Sequence, residues 1–547
     1  MLPSVVAVPF TYASRRSPVY ARRGIVAASQ PLAAQAGIDI LALGGSAADA
    51  AVATAAALNV TEPTSTGIGG DCFALYYDAE TREITALNGS GRAPSALSLD
   101  LLEAEGFGEA LPALHAHTVT VPGACAGWSD LLERHGRLGL RIALAPAINL
   151  AEEGFPVSPL TSYFWERGVE RQLKNAPGGQ ELTIDGRGPR PGEIFRNPGL
   201  ARTLRAVGEG GSKAFYQGEI AEAISRAVHE AGGLLSETDL AAHQSTWDEA
   251  ISVTYRDLRV WEAPPNGQGL VALLALKILE GFDLASLSAL SSSRLHLVIE
   301  ALRVAFADGN WFVADSSFVP IPLEVLLSDG YADRRRTLID RKRATLAQPV
   351  GIPAPTSDTV YLSVVDEQGN ACSFINSNYM GFGTGIVPEG WGFSLQNRGH
   401  GFSLDPEHPN ALAPGKRPYH TIIPGMVTRE DGSLHSSFGV AGGFMQPQGH
   451  VEVLTGLIDD GLDPQAALDR PRVNLTEARP GSPVALEEGV PEETVAELVA
   501  IGHEVEVITG HMRAMFGRGQ VILRDDETGV LCGGSDPRAD GCAVPVA

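Results

Sequence analysis

Basic residues are in short supply in this sequence of 547 residues: 41 Lys and Arg stand against 65 Asp and Glu, a formal net charge of −24. Such a balance argues against an extended nucleic-acid surface or a general attraction to anionic membranes, both of which need clustered cations, so small molecules are the expected partners. Cysteine is scarce too. Cys72, Cys125, Cys372, Cys532 and Cys542 are odd in number and widely spread, with no CxxC pair or disulfide-framework spacing, which points to a reducing, cytoplasmic compartment. Cys372, just after a polar turn, reads as a buried structural thiol. Long apolar runs are missing as well. The nearest, "AADAAVATAAALNV" at 47–60, is mostly alanine and contains Asp49, the pattern of a small-residue helix packed inside a protein and not of a membrane span. At the N-terminus the arginines follow a short apolar stretch instead of preceding it, the reverse of a secretory signal.

Familiar catalytic motifs are absent: no GxSxG elbow, GxxxxGK[ST] phosphate loop, GxGxxG fingerprint or HExxH zinc helix. His296 and Glu300, four apart on a helical stretch, could share a ligand face, but with no third candidate at hand they read as a local polar contact. No metal and no other cofactor is expected.

What is present is a globular composition, 44% hydrophobic and 19% charged, long enough for one large layered fold or several domains. Ser29 is placed to cap a helix through "PLAAQAGIDILALGG", and a second helix follows from Ser46. A glycine-rich loop leads to strands "CFALYY" and "EITALN". From about 120 to 345 the pattern is mainly helical, with "RIALAPAINLAEEG" among the helices and "ISVTYRDLRVWEAPP" interrupting at strand spacing. A Pro- and Ala-rich loop, "ATLAQPVGIPAPTSD", then resembles a linker, and a linker can be a cleavage site. After it, "TVYLSVVDEQGNACSFINSNY" reads as a hairpin around the polar turn "DEQGN". Helices, strands, helices and strands in one chain suggest layers of helix over sheet.

The last third concentrates hydroxyls, amides and glycines: Thr359, Ser377, Tyr379, "GFGTG", "LQNRG", "KRPYHT" and "AGGFMQPQG". A pair such as Gly442-Gly443 lets backbone N–H groups turn toward a ligand, where they can stabilise an oxyanion; a tight turn is the other reading of the same pair.

Taken together, "RGIVAASQPLAAQAGIDILALGGSAADAAVA", "TSTGIGGDCFALYY", "PPNGQG", "EALRVAFAD", "TVYLSVVDEQGNACS", "FGTGIV", "PGKRP", "AGG" and "GGSDPRADG" resemble the γ-glutamyltranspeptidase family of N-terminal nucleophile hydrolases, in family order and over nearly the whole chain. The resemblance implies an α+β, four-layer αββα sandwich built from two autoprocessed fragments, 1–358 and 359–547, which associate, with a dimer of such pairs as a further expectation. It implies cleavage between Asp358 and Thr359, after which the Thr359 hydroxyl is the nucleophile and its freed α-amino group the general base. Ser377, where the family more often has Thr, takes the orienting role, and Gly442 and Gly443 the oxyanion role.

The departures fall on substrate recognition. The family's "NNQMDDF", whose Asp pairs with a glutamyl α-ammonium, is here "QNRGHGF", with Gly401 in that place and Arg398 at a neighbouring amide position. Arg92 in "SGRAP" falls about two positions nearer the proline than the family's carboxylate-binding arginine. Tyr379 stands at another family amide position, and His420 and Thr421 replace a serine pair. Arg92, Tyr379, Arg398, His420 and Thr421 are therefore the candidate substrate contacts, favouring an acidic group. The expected activity is hydrolysis of an amide of a small acidic acyl compound, γ-glutamyl or glutathione-type by family default. The alternatives are an oxamate-type amidohydrolase or dicarboxylic acyl amide acylase and, outside enzymes, an unprocessed pseudoenzyme or binding protein.

Overall fold

The computed structural model describes residues 16–345, 359–477 and 483–547. Asp358, most of the Pro- and Ala-rich loop and the N-terminal stretch up to residue 15 lie outside the described residues.

The expected hairpin forms from Val360–Val365 and Ala371–Ser377, paired antiparallel around the DEQGN turn. It sits in the middle of a seven-stranded antiparallel sheet, in the order Cys542–Pro545, Ile25–Ala28, Val360–Val365, Ala371–Ser377, Asp71–Tyr77, Ile84–Gly89, Thr246–Asp248. A second seven-stranded antiparallel sheet runs Val19–Ala21, Leu531–Ser535, Arg518–Arg524, Leu434–Ala441, Gly425–Thr428, Leu258–Glu262, Ile251–Tyr255. Both sheets combine strands from before and after Thr359, so each is completed only when the two parts of the chain pair.

Alternation along Val360–Val365 has a physical reason. Val360, Leu362 and Val364 pack into a core shared with the helices Pro31–Ala42, Ala47–Thr61 and Ala124–His135. Tyr361, Ser363 and Val365 face the other sheet: the Ser363 and Ser437 hydroxyls are 2.7 Å apart, and Tyr361 lies over Gly439, where an added Cβ would come within 2.4 Å of the ring. Beyond the second sheet lie the helices Gly269–Leu279, Ser292–Phe312 and Met445–Ile458, sharing a core with Val260, Val427 and Phe438.

The alanine-rich segment is a wholly buried helix, Ala47–Thr61, opened by a reciprocal capping box between Ser46 and Asp49. It crosses Pro31–Ala42 so closely that a Cβ at Gly37 would lie 2.3 Å from the Thr54 hydroxyl. Ser29 does not cap that first helix. Gln30 holds the cap position without a side-chain bond, and the Ser29 hydroxyl donates instead to the buried Glu62 Oε2 at 2.5 Å, a stronger call on it than an exposed helix end. The stretch expected as one helix at 141–154 is split into Leu140–Ala143 and Ala145–Glu153, with Pro146 in the first turn of the second. Among the described residues no helix is long and apolar enough to cross a membrane, and all five cysteines are free.

Candidate active site

Thr359 immediately precedes the central strand and is 1% exposed. Its Oγ1 lies 3.1 Å from the Oγ of Ser377, at the end of the neighbouring strand. The Ser377 oxygen also accepts from the Tyr379 N–H at 2.8 Å and from Arg398 Nη2 at 3.2 Å. The contact with Thr359 is between two hydroxyls, either of which can donate. Tyr379 is held at φ 78°, a conformation uncommon for a bulky side chain, and its ring lies 4.3 Å from the Arg398 guanidinium. Burial pushes its phenol up to about 12, with Arg398 opposing.

Arg398 is the centre of this group. It is fully buried, donates to Thr421 Oγ1 at 2.7 Å and to Ser377, and its Nε has no hydrogen-bond partner among the described residues. The other arginines buried to the same degree, Arg294, Arg303 and Arg472, each pair with a carboxylate, Asp460, Glu300 and Asp536, at 2.6 to 2.7 Å. Arg398 has no carboxylate within ion-pair distance among the described residues. Burial brings its pKa down to about 10, so it is a cation at neutral pH.

The opposite wall is backbone. Gly442 (φ 139°) and Gly443 (φ 62°) follow the strand Leu434–Ala441, whose last residue packs with Tyr361. Neither glycine N–H donates to a backbone carbonyl among the described residues, while the Gly442 and Gly443 carbonyls accept from Met445 and Gln446 at the start of the helix Met445–Ile458. Free N–H groups beside a helix N-terminus form a site for developing negative charge. Gln268 ties the two walls together, its Nε2 donating to the Thr421 carbonyl at 2.6 Å and the Gly443 carbonyl at 2.8 Å.

Residues 33–546 match the model of the gamma-glutamyltranspeptidase family. The chain belongs to the γ-glutamyltranspeptidase family. It is 37% identical over 538 residues to the glutathione hydrolase-like YwrD proenzyme of Bacillus subtilis, covering 96% of this chain and 99% of that protein. It is 35% identical over 530 residues to the oxamate amidohydrolase proenzyme of Klebsiella pneumoniae, covering 95% and 98%. Among solved structures, cephalosporin acylase from Bacillus halodurans superposes with a TM-score of 0.91 at 47% identity, covering 100% of this chain and 99% of that one.

In this γ-glutamyltranspeptidase family member the structure brings together Thr359, Ser377, Tyr379, Arg398 and Thr421, but not all the expected substrate contacts join them. The Arg92 guanidinium turns to Asp315 Oδ2 at 3.5 Å and the Gly415 carbonyl at 3.3 Å. His420 is not a cation. Its Nδ1 accepts from the Ile422 N–H, so Nε2–H donates to Asp71 Oδ2 at 3.0 Å, and burial, helped by Arg398, brings its pKa down to about 3. Gly401 has no room for an easy return of the family's Asp, since an added Cβ would meet the Tyr419 carbonyl at 3.0 Å.

Two residues of the site escaped the sequence reading although both lie in family-like segments. Gln268 is the fifth residue of "PPNGQG". Asp71 follows the loop "TGIGG", and its Oδ1 accepts from the Gly91 and Gly123 N–H groups and from Gln396 Nε2 at 3.0 to 3.1 Å. It thereby ties three loops to His420.

The pair His296 and Glu300 does have a third companion, His503, and all three are buried. The donors are already engaged. Arg303 donates to Glu300 Oε1 at 2.7 Å and to His503 Nδ1 at 3.2 Å, so His503 Nε2–H donates to His296 Nδ1 at 2.8 Å and His296 Nε2–H to the Asp340 carbonyl at 2.7 Å. A guanidinium inside the cluster repels a divalent cation, and the arrangement is a chain of neutral imidazoles tying Asp340 to the helix Ser292–Phe312. Burial, with Arg303 and His296, brings His503 down to about 3. The unfolded chain therefore takes up this proton first, near pH 6.5, and the stability His503 contributes is complete above that pH and lost as pH falls toward 3. Glu452, pushed up to about 7 by burial, works in the opposite direction over part of this range, so the informative quantity is a difference. Wild type is expected to lose ground against His503→Gln by up to about 1.4 kcal/mol per pH unit below pH 6.5 in urea unfolding. Parallel pH profiles would contradict this account.

Proposed function

We propose that this protein is a self-processing amidohydrolase in which Thr359 attacks the amide carbonyl of a small acidic acyl compound. Cleavage of the Asp358–Thr359 bond frees the Thr359 amine. That amine takes the hydroxyl proton as Oγ bonds to the acyl carbon, the Gly442 and Gly443 N–H groups receive the oxyanion, and the C–N bond breaks with the proton passing to the leaving amine. Water then hydrolyses the ester, releasing the acid and restoring the threonine. Fragments 1–358 and 359–547 remain joined because each sheet combines strands of both, and the two sheets with their outer helices make the four-layer αββα sandwich.

The observation that carries the reading is Arg398, a buried guanidinium with no carboxylate partner among the described residues, separated from the Thr359 hydroxyl by the Ser377 oxygen alone. An unpaired buried cation is costly, and a substrate carboxylate relieves it. Its closeness to the nucleophile favours an acyl group whose carboxylate lies one or two bonds from the scissile carbonyl, as in oxamate. The γ-glutamyl alternative places its carboxylate further away and brings an ammonium for which Gly401 offers no partner. Steady-state rates with oxamate, glutathione and a γ-glutamyl anilide test this: oxamate or another short dicarboxylic monoamide is expected to have the highest kcat/KM. A strong preference for the γ-glutamyl anilide would return the protein to the standard transpeptidase pose.

A further inference from the structure

A cleft of about 160 Å³ reaches the oxyanion glycine Gly442 on a side to which none of the acyl-binding residues contributes. Its walls mix two chemistries. Phe164, Phe444 and Met515 supply apolar surface, and Arg167, Arg171 and Arg518 supply charge, with no Asp or Glu among the lining residues. In a chain of net charge −24 a cleft with only cations is unusual for its surroundings. The three arginines are held differently. Arg518 is buried, pairs with Glu62 Oε1 at 3.0 Å and lies 5.8 Å from the Phe164 ring, which fixes the floor. Arg167 lies 5.6 Å from the Tyr163 ring and donates to its hydroxyl at 3.3 Å. Arg171, exposed one helical turn further on, has no carboxylate partner among the described residues.

We infer that this cleft binds the leaving-group half of the substrate and selects an amine that combines an aromatic or similarly flat apolar body with a carboxylate. The body is of the size the cleft admits, since a cavity near 150 Å³ takes a benzene ring, and its flat faces suit Phe164 and Phe444. The carboxylate suits the guanidinium groups of Arg167 and Arg171 at the mouth. Gly442 lines the cleft and is also the proposed oxyanion donor, so in the inferred pose a scissile carbonyl held at its N–H places the acyl carboxylate at Arg398 and the nitrogen substituent in the cleft. Assignment to the leaving group rests on the amidohydrolase reading; the recognition of an anionic arylamine does not.

The test separates the two. Calorimetric titration of the intact protein with 5-amino-2-nitrobenzoate and with 4-nitroaniline needs no turnover. The carboxylated amine is expected to bind at least about 10-fold more tightly to wild type, with the preference falling toward unity in the double variant Arg167→Ala/Arg171→Ala and at high salt. Both side chains are exposed, so the double variant is expected to fold, and an unchanged circular dichroism spectrum checks it. Equal binding of the two amines to wild type, or a preference that survives in the folded double variant, would overturn the inference. Matched anilides sharing one acidic acyl group supply the second arm. The carboxylated anilide is expected to show the lower KM in wild type and to lose that advantage in the double variant. Selective amine binding without cleavage of either anilide would refute the amidohydrolase reading while leaving the cleft's ligand class standing.

Discussion

Thr359→Ala is expected to leave a single uncut chain of 57.5 kDa by intact mass, with amide turnover reduced by at least about 10⁴-fold, while wild type separates under denaturing conditions into two fragments that together account for that mass. The size of the effect follows from how many roles one residue carries. In the proposed mechanism its hydroxyl is the nucleophile of both self-cleavage and substrate attack, and its freed α-nitrogen is the base that activates that hydroxyl toward substrate. As an amide the nitrogen has no basic lone pair, whereas a free α-amine titrates near pH 8. Alanine keeps the nitrogen but removes the atom that must attack. The fold is expected to survive, because the strand behind Thr359 is fixed by pairing with Ile25–Ala28 and Ala371–Ser377 and not by the threonine side chain. Thr359→Ser restores the hydroxyl without the methyl group and is expected to regain cleavage, with activity within about 10-fold of wild type. Normal cleavage and turnover in the alanine variant would remove Thr359 from the mechanism. A wild-type chain that stays uncut under all conditions would instead make this a binding protein on an enzyme's fold.

What could be read from the sequence was what is local. The hairpin after Thr359 was visible because a polar, glycine-containing turn separates two strand-patterned runs, and the helix at 47–61 because an alanine-rich run follows Ser46. Gly269–Leu279 was missed. It is apolar on nearly every side and buried at every position but Lys277, which leaves no clear amphipathic period to detect. Ser29 was misread because a buried carboxylate, 33 positions away, claimed its hydroxyl. The same divide runs through the site. Thr359, Ser377 and the glycine pair lie in short motifs with distinctive surroundings. Asp71 is recognised by its partners at 91, 123, 396 and 420, and His503 by a helix some 200 positions earlier, relations that no spacing rule encodes. Arg398 was named from its motif, but its defining property, burial with no carboxylate partner among the described residues, exists only in three dimensions.

That property makes Arg398→Met the most discriminating substitution after Thr359. Methionine fills a similar volume without charge, and replacing a buried ion that lacks a counter-ion with an apolar side chain is expected to leave stability unchanged or raise it in urea unfolding. Activity should move the other way. A charge-assisted contact contributes about 1.5 to 3 kcal/mol, and a two-pronged one lies at or above the upper end, so kcat/KM for a short acidic amide is expected to fall by about 100-fold or more. The neutral acyl analogue, with no carboxylate to lose, should change far less, so that the preference for the acid collapses. Arg398→Lys keeps a cation but not the planar fork that now spans Ser377 and Thr421, and is expected to recover only part of the loss. A small dicarboxylate such as oxalate should raise the wild-type melting temperature and leave that of Arg398→Met unmoved, because binding adds stability only where the site can take the anion. Were Arg398 a structural cation, the methionine variant would instead lose stability, affect acidic and neutral amides alike, and respond to oxalate as wild type does.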